Sequence, residues 1–169
     1  MTNGLKDEHY RVRKLRCPLS GIVAEELWET PEGALHNPDG PAIICRDREN
    51  GIVTRIGYYL NGDPHRSNGD PACEEFDPET GRCNFRLFAV AGEYDRPDQL
   101  PHVEFVDAGT GRVYRAEYRV FGTKGSLLHR ADGPALITYD RQTGALTSAT
   151  FYRHGRKQSG AAPPPPSAE

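Results

Sequence analysis

The sequence contains no apolar run long enough to cross a membrane. Its opening stretch, MTNGLKDEHYRVRKLRC, is charged instead of hydrophobic. It does not read as a secretory signal, and the expectation is a cytoplasmic protein with no membrane span. Hydrophobic residues are also scarce, at 36% of 169 residues, where close to half is usual for a compact globular chain. Charge of one sign is lacking too: 21 Lys and Arg face 24 Asp and Glu, for a net charge of −3. The basic residues are spread along the chain, so nothing electrostatic favours nucleic acid or an anionic membrane as partner. Cys17, Cys45, Cys73 and Cys83 lack the CxxC spacing of a zinc site. In a reducing compartment they are expected to be free thiols. No serine lies in a G-x-S-x-G context, and no Gly-rich loop leads into a helix. The expectation is a non-enzyme with no catalytic residues, no metal and no cofactor.

Turn residues are abundant. With 18 Gly and 14 Pro, a short chain favours an all-β meander over helices. A repeat organises these turns. Gly21, Gly51, Gly81 and Gly111 are spaced by 30 residues, and Gly144 follows after 33. Four of them close one motif: Asp47-Arg-Glu-Asn-Gly51, Asp77-Pro-Glu-Thr-Gly81, Asp107-Ala-Gly-Thr-Gly111 and Asp140-Arg-Gln-Thr-Gly144. The first copy, Cys17-Pro-Leu-Ser-Gly21, lacks the Asp. An Asp side chain can accept hydrogen bonds from N–H groups two and three residues on, and the Gly supplies a positive φ. D-x-x-[TN]-G therefore reads as a hairpin tip with a bulge.

Other markers flank each tip. His36-Asn-Pro-Asp-Gly-Pro-Ala42 recurs as His129-Arg-Ala-Asp-Gly-Pro-Ala135, and in altered form as His65-Arg-Ser-Asn-Gly-Asp-Pro-Ala72. The fourth copy, Asp95-Arg-Pro-Asp-Gln-Leu-Pro101, has lost the His and the Gly. Seven residues after each tip Gly stands an aromatic: Trp28, Tyr58, Phe88, Tyr118 and Phe151. A further glycine closes each strand: Gly33, Gly62, Gly92, Gly122 and Gly155. The predicted fold is an elongated antiparallel meander sheet of about five tandem ~30-residue β-hairpin repeats, with about ten short strands. Residues 1–9 are expected to be a loose N-terminus, 10–157 a single repeat domain, and 158–169, with four consecutive prolines, a disordered tail.

Pairing each turn Asp with its turn Gly assigns provisional faces. One face collects Leu15, Val23, Leu27, Ile43, Cys45, Val53, Cys73, Cys83, Phe85, Leu87, Val103, Phe105, Val113, Leu136 and Leu146, and is expected to be buried. The other carries Ala42, Ala72, Ala135, the aromatic row and charged residues such as Glu74, Arg86, Glu104 and Arg112, and is expected to be partly exposed. The histidines His36, His65 and His129 are expected to hydrogen-bond turn backbone, because no convergent Cys or carboxylate set accompanies them. The single carboxylate per tip is too few for a calcium cage. The aromatic row Trp28, Tyr58, Phe88, Tyr118 and Phe151 is the one candidate binding surface. Such a row either lines a site for protein or peptide recognition or stacks along the sheet and stabilises it.

The pattern H-R-x-D-G-P-A … D-x-x-T-G … Y-x-x-x-G over residues 10 to 157 resembles the bacterial LHRxDGPA β-hairpin repeats. These are similar in turn to MORN-type repeats and to the repeats of YwqK-like antitoxins. The resemblance implies an elongated, twisted sheet that binds other macromolecules, in toxin neutralisation, scaffolding or lipid contact, and it carries over no catalytic residues. The leading expectation is a cytoplasmic protein-binding or scaffolding module of antitoxin or immunity type. Its partner would be another protein, with a homodimer through sheet edges or faces also expected. The alternative is a defence-related or viral protein that sequesters a small nucleotide-like ligand, motivated by its arginines.

Overall fold

The computed structural model describes residues 10–122 and 125–159. Ten strands form one antiparallel sheet in which each strand lies beside its predecessor. They are β1 (Arg11–Arg16), β2 (Val23–Glu29), β3 (Ile43–Arg46), β4 (Val53–Gly57), β7 (Cys73–Phe76), β8 (Cys83–Leu87), β11 (Val103–Val106), β12 (Val113–Glu117), β15 (Leu136–Tyr139) and β16 (Leu146–Thr150). The all-β meander read from the repeat is therefore the observed fold.

Each tip forms as its residues dictate. Asp47, Asp77, Asp107 and Asp140 accept backbone N–H bonds on Oδ1 from Asn50, Thr80, Thr110 and Thr143 at 2.9, 2.8, 2.9 and 2.7 Å. The closing glycines adopt φ from +68° to +77°, which a Cβ would disfavour. A β-bulge precedes each tip, at Leu15/Arg16, Cys45/Arg46, Glu75/Phe76, Phe105/Val106 and Thr138/Tyr139. The tips also bond to one another. Ser20 donates to Arg48 O, Asn50 to Pro78 O, Arg82 to Gly109 O and Thr110 to Arg141 O, at 2.5, 3.0, 3.0 and 3.1 Å.

The other end of the sheet holds a second tier that the sequence pattern did not reveal. After the recurring aromatic, the chain leaves the sheet and forms a short hairpin: β5 (Tyr59–Leu60) with β6 (Asp63–Pro64), β9 (Ala89–Val90) with β10 (Glu93–Tyr94), β13 (Arg119–Gly122) with β14 (Gly125–Leu128), and β17 (Tyr152–Arg153) with β18 (Arg156–Lys157). Asn61-Gly62, Ala91-Gly92 and His154-Gly155 have positive φ at both positions, the signature of a two-residue type I′ turn. So these glycines do not simply end a strand; they turn a hairpin of their own. Gln158 N–H donates to Phe151 O at 2.9 Å, so the hydrogen-bonded fold extends to residue 158. The expectations for residues 1–9 and 160–169 lie outside the described residues.

The face assignment needs correction at both ends of the strands. Ala42, Ala72 and Ala135 are fully buried, at 0% exposure, not on a partly exposed face. Their carbonyls accept the N–H of Trp28, Tyr58 and Tyr118, while their own N–H groups donate to Gly57, Leu87 and Thr150. Backbone closes in from both sides, so only a methyl fits. Conversely, Leu15 and Leu146 are 44% and 55% exposed, because each lies on a terminal strand with no strand beyond it among the described residues. Phe85 and Phe105, also assigned to the buried face, are only half-buried.

Candidate functional site

The five aromatics of the predicted row all sit where the sheet passes into the second tier. Phe88 and Tyr118 are buried, at 4% and 8% exposure, and Trp28, Tyr58 and Phe151 are half-buried. Three are roofed by arginine. Arg66 lies 4.1 Å over Tyr58, Arg96 3.6 Å over Phe88 and Arg130 3.8 Å over Tyr118. Arg66 and Arg96 also donate to the carbonyls of Pro71 and Pro101, at 3.3 and 2.8 Å. In the second copy Asn37 takes this place and bonds Pro41 O at 3.0 Å. The recurring arginine thus covers a ring, a cation–π contact sheltered from water, and at Arg66 and Arg96 it also fastens a turn. This arrangement takes the buried members of the row out of reach of a partner.

The histidines bond turn backbone, but not the turn they open. His36, His65 and His129 accept through Nδ1 from Asn61, Ala91 and His154 N–H, at 3.0, 3.0 and 3.1 Å. Each acceptor satisfies the left-handed residue of the next short hairpin. The fourth copy differs on both counts: Asp95 replaces the His, and the hairpin that follows, β13–β14, is longer. There His102 fills the place of the buried alanine and accepts Arg119 N–H at 3.0 Å. Tyr94 stacks on Phe121 at 4.6 Å and on His102 at 6.0 Å. Burial lowers the His102 pKa from its ordinary value.

A different surface is open. The cross-strand register sets Arg55, Glu75, Phe85, Phe105 and Arg115 in one row over β4, β7, β8, β11 and β12. Phe85 meets Phe105 edge to face at 5.4 Å, and Tyr114 lies 6.2 Å from Phe105. Arg115 stands 5.1 Å over Phe105 and Arg141 3.7 Å over Tyr114. Around these rings runs a groove of about 480 Å³, lined also by Glu75, Asp77, Asn84, Asp107, Ala108 and Gly109. Glu117, fully buried, holds Arg115 with a 2.6 Å bond and also binds Arg119. A buried carboxylate between two guanidiniums fixes their orientation, and so fixes Arg115 over its ring.

Sequence reasoning missed this groove because alternation assigned its phenylalanines to the core. One signal was present. The residue after the tip Asp is Arg48, Pro78, Ala108 or Arg141, so it varies within an otherwise regular motif.

Elsewhere the chemistry is quiet. All four cysteines are free, and burial raises the pKa of Cys73. Tyr59, bonded to Arg55 and Cys73, is pushed up to about 12, chiefly by burial. Among the described residues no three His, Cys, Asp or Glu side chains are grouped to hold a metal, and no helix is long and apolar enough to cross a membrane. No protein family, curated protein or solved structure matches the chain.

Proposed function

We propose that this chain is a non-enzymatic protein-binding module whose partner docks on the open face around Phe85, Phe105 and Tyr114. The observation that carries the reading is the half-buried aromatic trio, flanked by Arg115 and Arg141, on a sheet face with an open groove. Aromatic and arginine side chains on a rigid scaffold are the residue types that dominate protein interfaces. The resemblance to LHRxDGPA and MORN-type repeats supports the same reading, and through the YwqK-like antitoxins it suggests a neutralising or immunity role in a bacterial cytoplasm. A nucleotide-like ligand is less well supported: Arg66, Arg96 and Arg130, three of the arginines that motivated it, lie on rings of the chain's own fold.

Affinity capture from lysate of the producing cells tests the proposal, using wild type, Phe105→Ala and the distant tip variant Leu19→Ala. A protein retained by wild type and Leu19→Ala but lost from Phe105→Ala is the expected outcome. Capture of nothing above background by wild type would overturn the reading.

A further inference from the structure

At the fourth tip, Arg141 reaches across from the fifth. Its guanidinium lies 3.7 Å over Tyr114 and 3.6 Å from Asp107 Oδ2. One repeat earlier, the residues equivalent to Arg141 and Tyr114 are Ala108 and Asn84, with Phe85 following Asn84 on β8. Asp77 spends Oδ1 on the N–H groups of Glu79 and Thr80 and on the Thr80 hydroxyl. Among the described residues no salt bridge forms to Asp77 or to Glu75, whose cross-strand neighbour on β4 is Arg55. The groove opens at this point, with Asp77, Phe85, Ala108 and Gly109 on its wall. Of its three rings, Phe105 and Tyr114 already carry a guanidinium, and Phe85 does not.

We infer that the partner inserts an arginine side chain beside Phe85, Asp77 and Glu75, in the space that Ala108 leaves open next to the tip Asp, where Arg141 stands one repeat later. This rests on the protein-binding reading above and specifies its chemistry. A planar guanidinium can lie on a ring while its fork bonds a carboxylate, which an ammonium does less well. Glu75 is the cross-strand neighbour of Phe85 and is exposed, so its carboxylate is available to that fork. The Asp77 carboxyl is held below its usual pKa by the Thr80 hydroxyl and N–H, so it stays ionised at neutral pH. The net charge of −3 favours approach of a basic segment. The unbridged carboxylates Glu75 and Asp77 oppose a phosphate-bearing ligand at this place.

The test is an aromatic NMR titration of the full chain with the blocked peptide acetyl-Gly-Gly-Arg-Gly-Gly-amide and its citrulline counterpart, to about 10 mM, the range of single-side-chain affinities. Saturable shifts of the Phe85 and Phe105 rings with the arginine peptide are expected, with binding about tenfold weaker for citrulline and for Glu75→Gln. Ala108→Arg supplies the chain's own guanidinium at this place and is expected to abolish the shifts while the protein remains folded. Absence of shifts in wild type overturns the inference, as does equal binding by the citrulline peptide or by Ala108→Arg. The capture experiment separates the two levels. A partner lost from Phe105→Ala but retained by Ala108→Arg leaves the protein-binding reading standing and removes the arginine.

Discussion

The two ends of the sheet use the same chemical pair in opposite ways. Where the strands pass into the short hairpins, Arg96 and Arg130 cover Phe88 and Tyr118, and the rings are buried. Towards the tips, Arg115 and Arg141 stand over Phe105 and Tyr114, but the rings border an open groove and the arginine side chains are 41% and 57% exposed. The surroundings decide the difference. At the bend, Arg96 is also bonded to the Pro101 carbonyl, and an arginine-covered ring recurs in three of the five repeats. Near the tips, Phe105 meets Phe85 across the strands and Tyr114 beside it; the positions equivalent to Phe85 on β4 and β2 are Arg55 and Glu25. A recurring pair holds units together, whereas a pair confined to one stretch of the array is free to serve recognition.

The contrast predicts separable losses. Phe88→Ala is expected to cost about 3–5 kcal/mol, as for other buried phenylalanines, and urea denaturation reads it; partner capture at low temperature is expected to survive. Arg96→Ala comes next, at about 3 kcal/mol, because it strips a 2.6 Å partner from the nearly buried Glu104 as well as the cover from Phe88. Arg130→Ala, with no such ion pair among the described residues, is expected to cost about 1 kcal/mol. Equal losses for the two would contradict the role given to Glu104. His65→Ala removes the acceptor of Ala91 N–H and is expected to cost about 1 kcal/mol. Phe105→Ala, by contrast, is expected to lose the partner while remaining folded.

The smallest effect is one of pH. Burial lowers the pKa of His102, whose Nδ1 accepts an N–H and so must be unprotonated. A histidine with a depressed folded pKa favours the fold above its unfolded value, about 6.5, and loses that contribution as pH falls through the folded value. Melting temperature is therefore expected to be level above about pH 7 and to decline below about pH 6.5. A His102→Asn variant should flatten that decline. An unchanged profile in the variant would assign the titration elsewhere.

The main sheet was legible because D-x-x-[TN]-G fixes both a turn and its spacing, and ten strands follow from five tips. The second tier was not. Its strands are mostly two residues long, as at Tyr59–Leu60 and Ala89–Val90, too short for any alternation to register. The bulge before every tip shifts the register by one residue, and the buried alanines depend on the turn of the chain at each aromatic. The groove was hidden for a related reason. Phe85 and Phe105 alternate like core residues, and only the structure shows that they are half-buried and border an open groove. The Asp tips, in contrast, behave as their chemistry predicts, because both partners lie within three residues.

The most direct test places a photo-crosslinking p-benzoylphenylalanine at position 105 and, as a control, at position 19, which is 97% exposed at the first tip. In the producing cells, crosslinking from position 105 to one discrete protein, with none from position 19, is the predicted result. Crosslinking equally from both positions, or from neither, would contradict an interface at the aromatic groove.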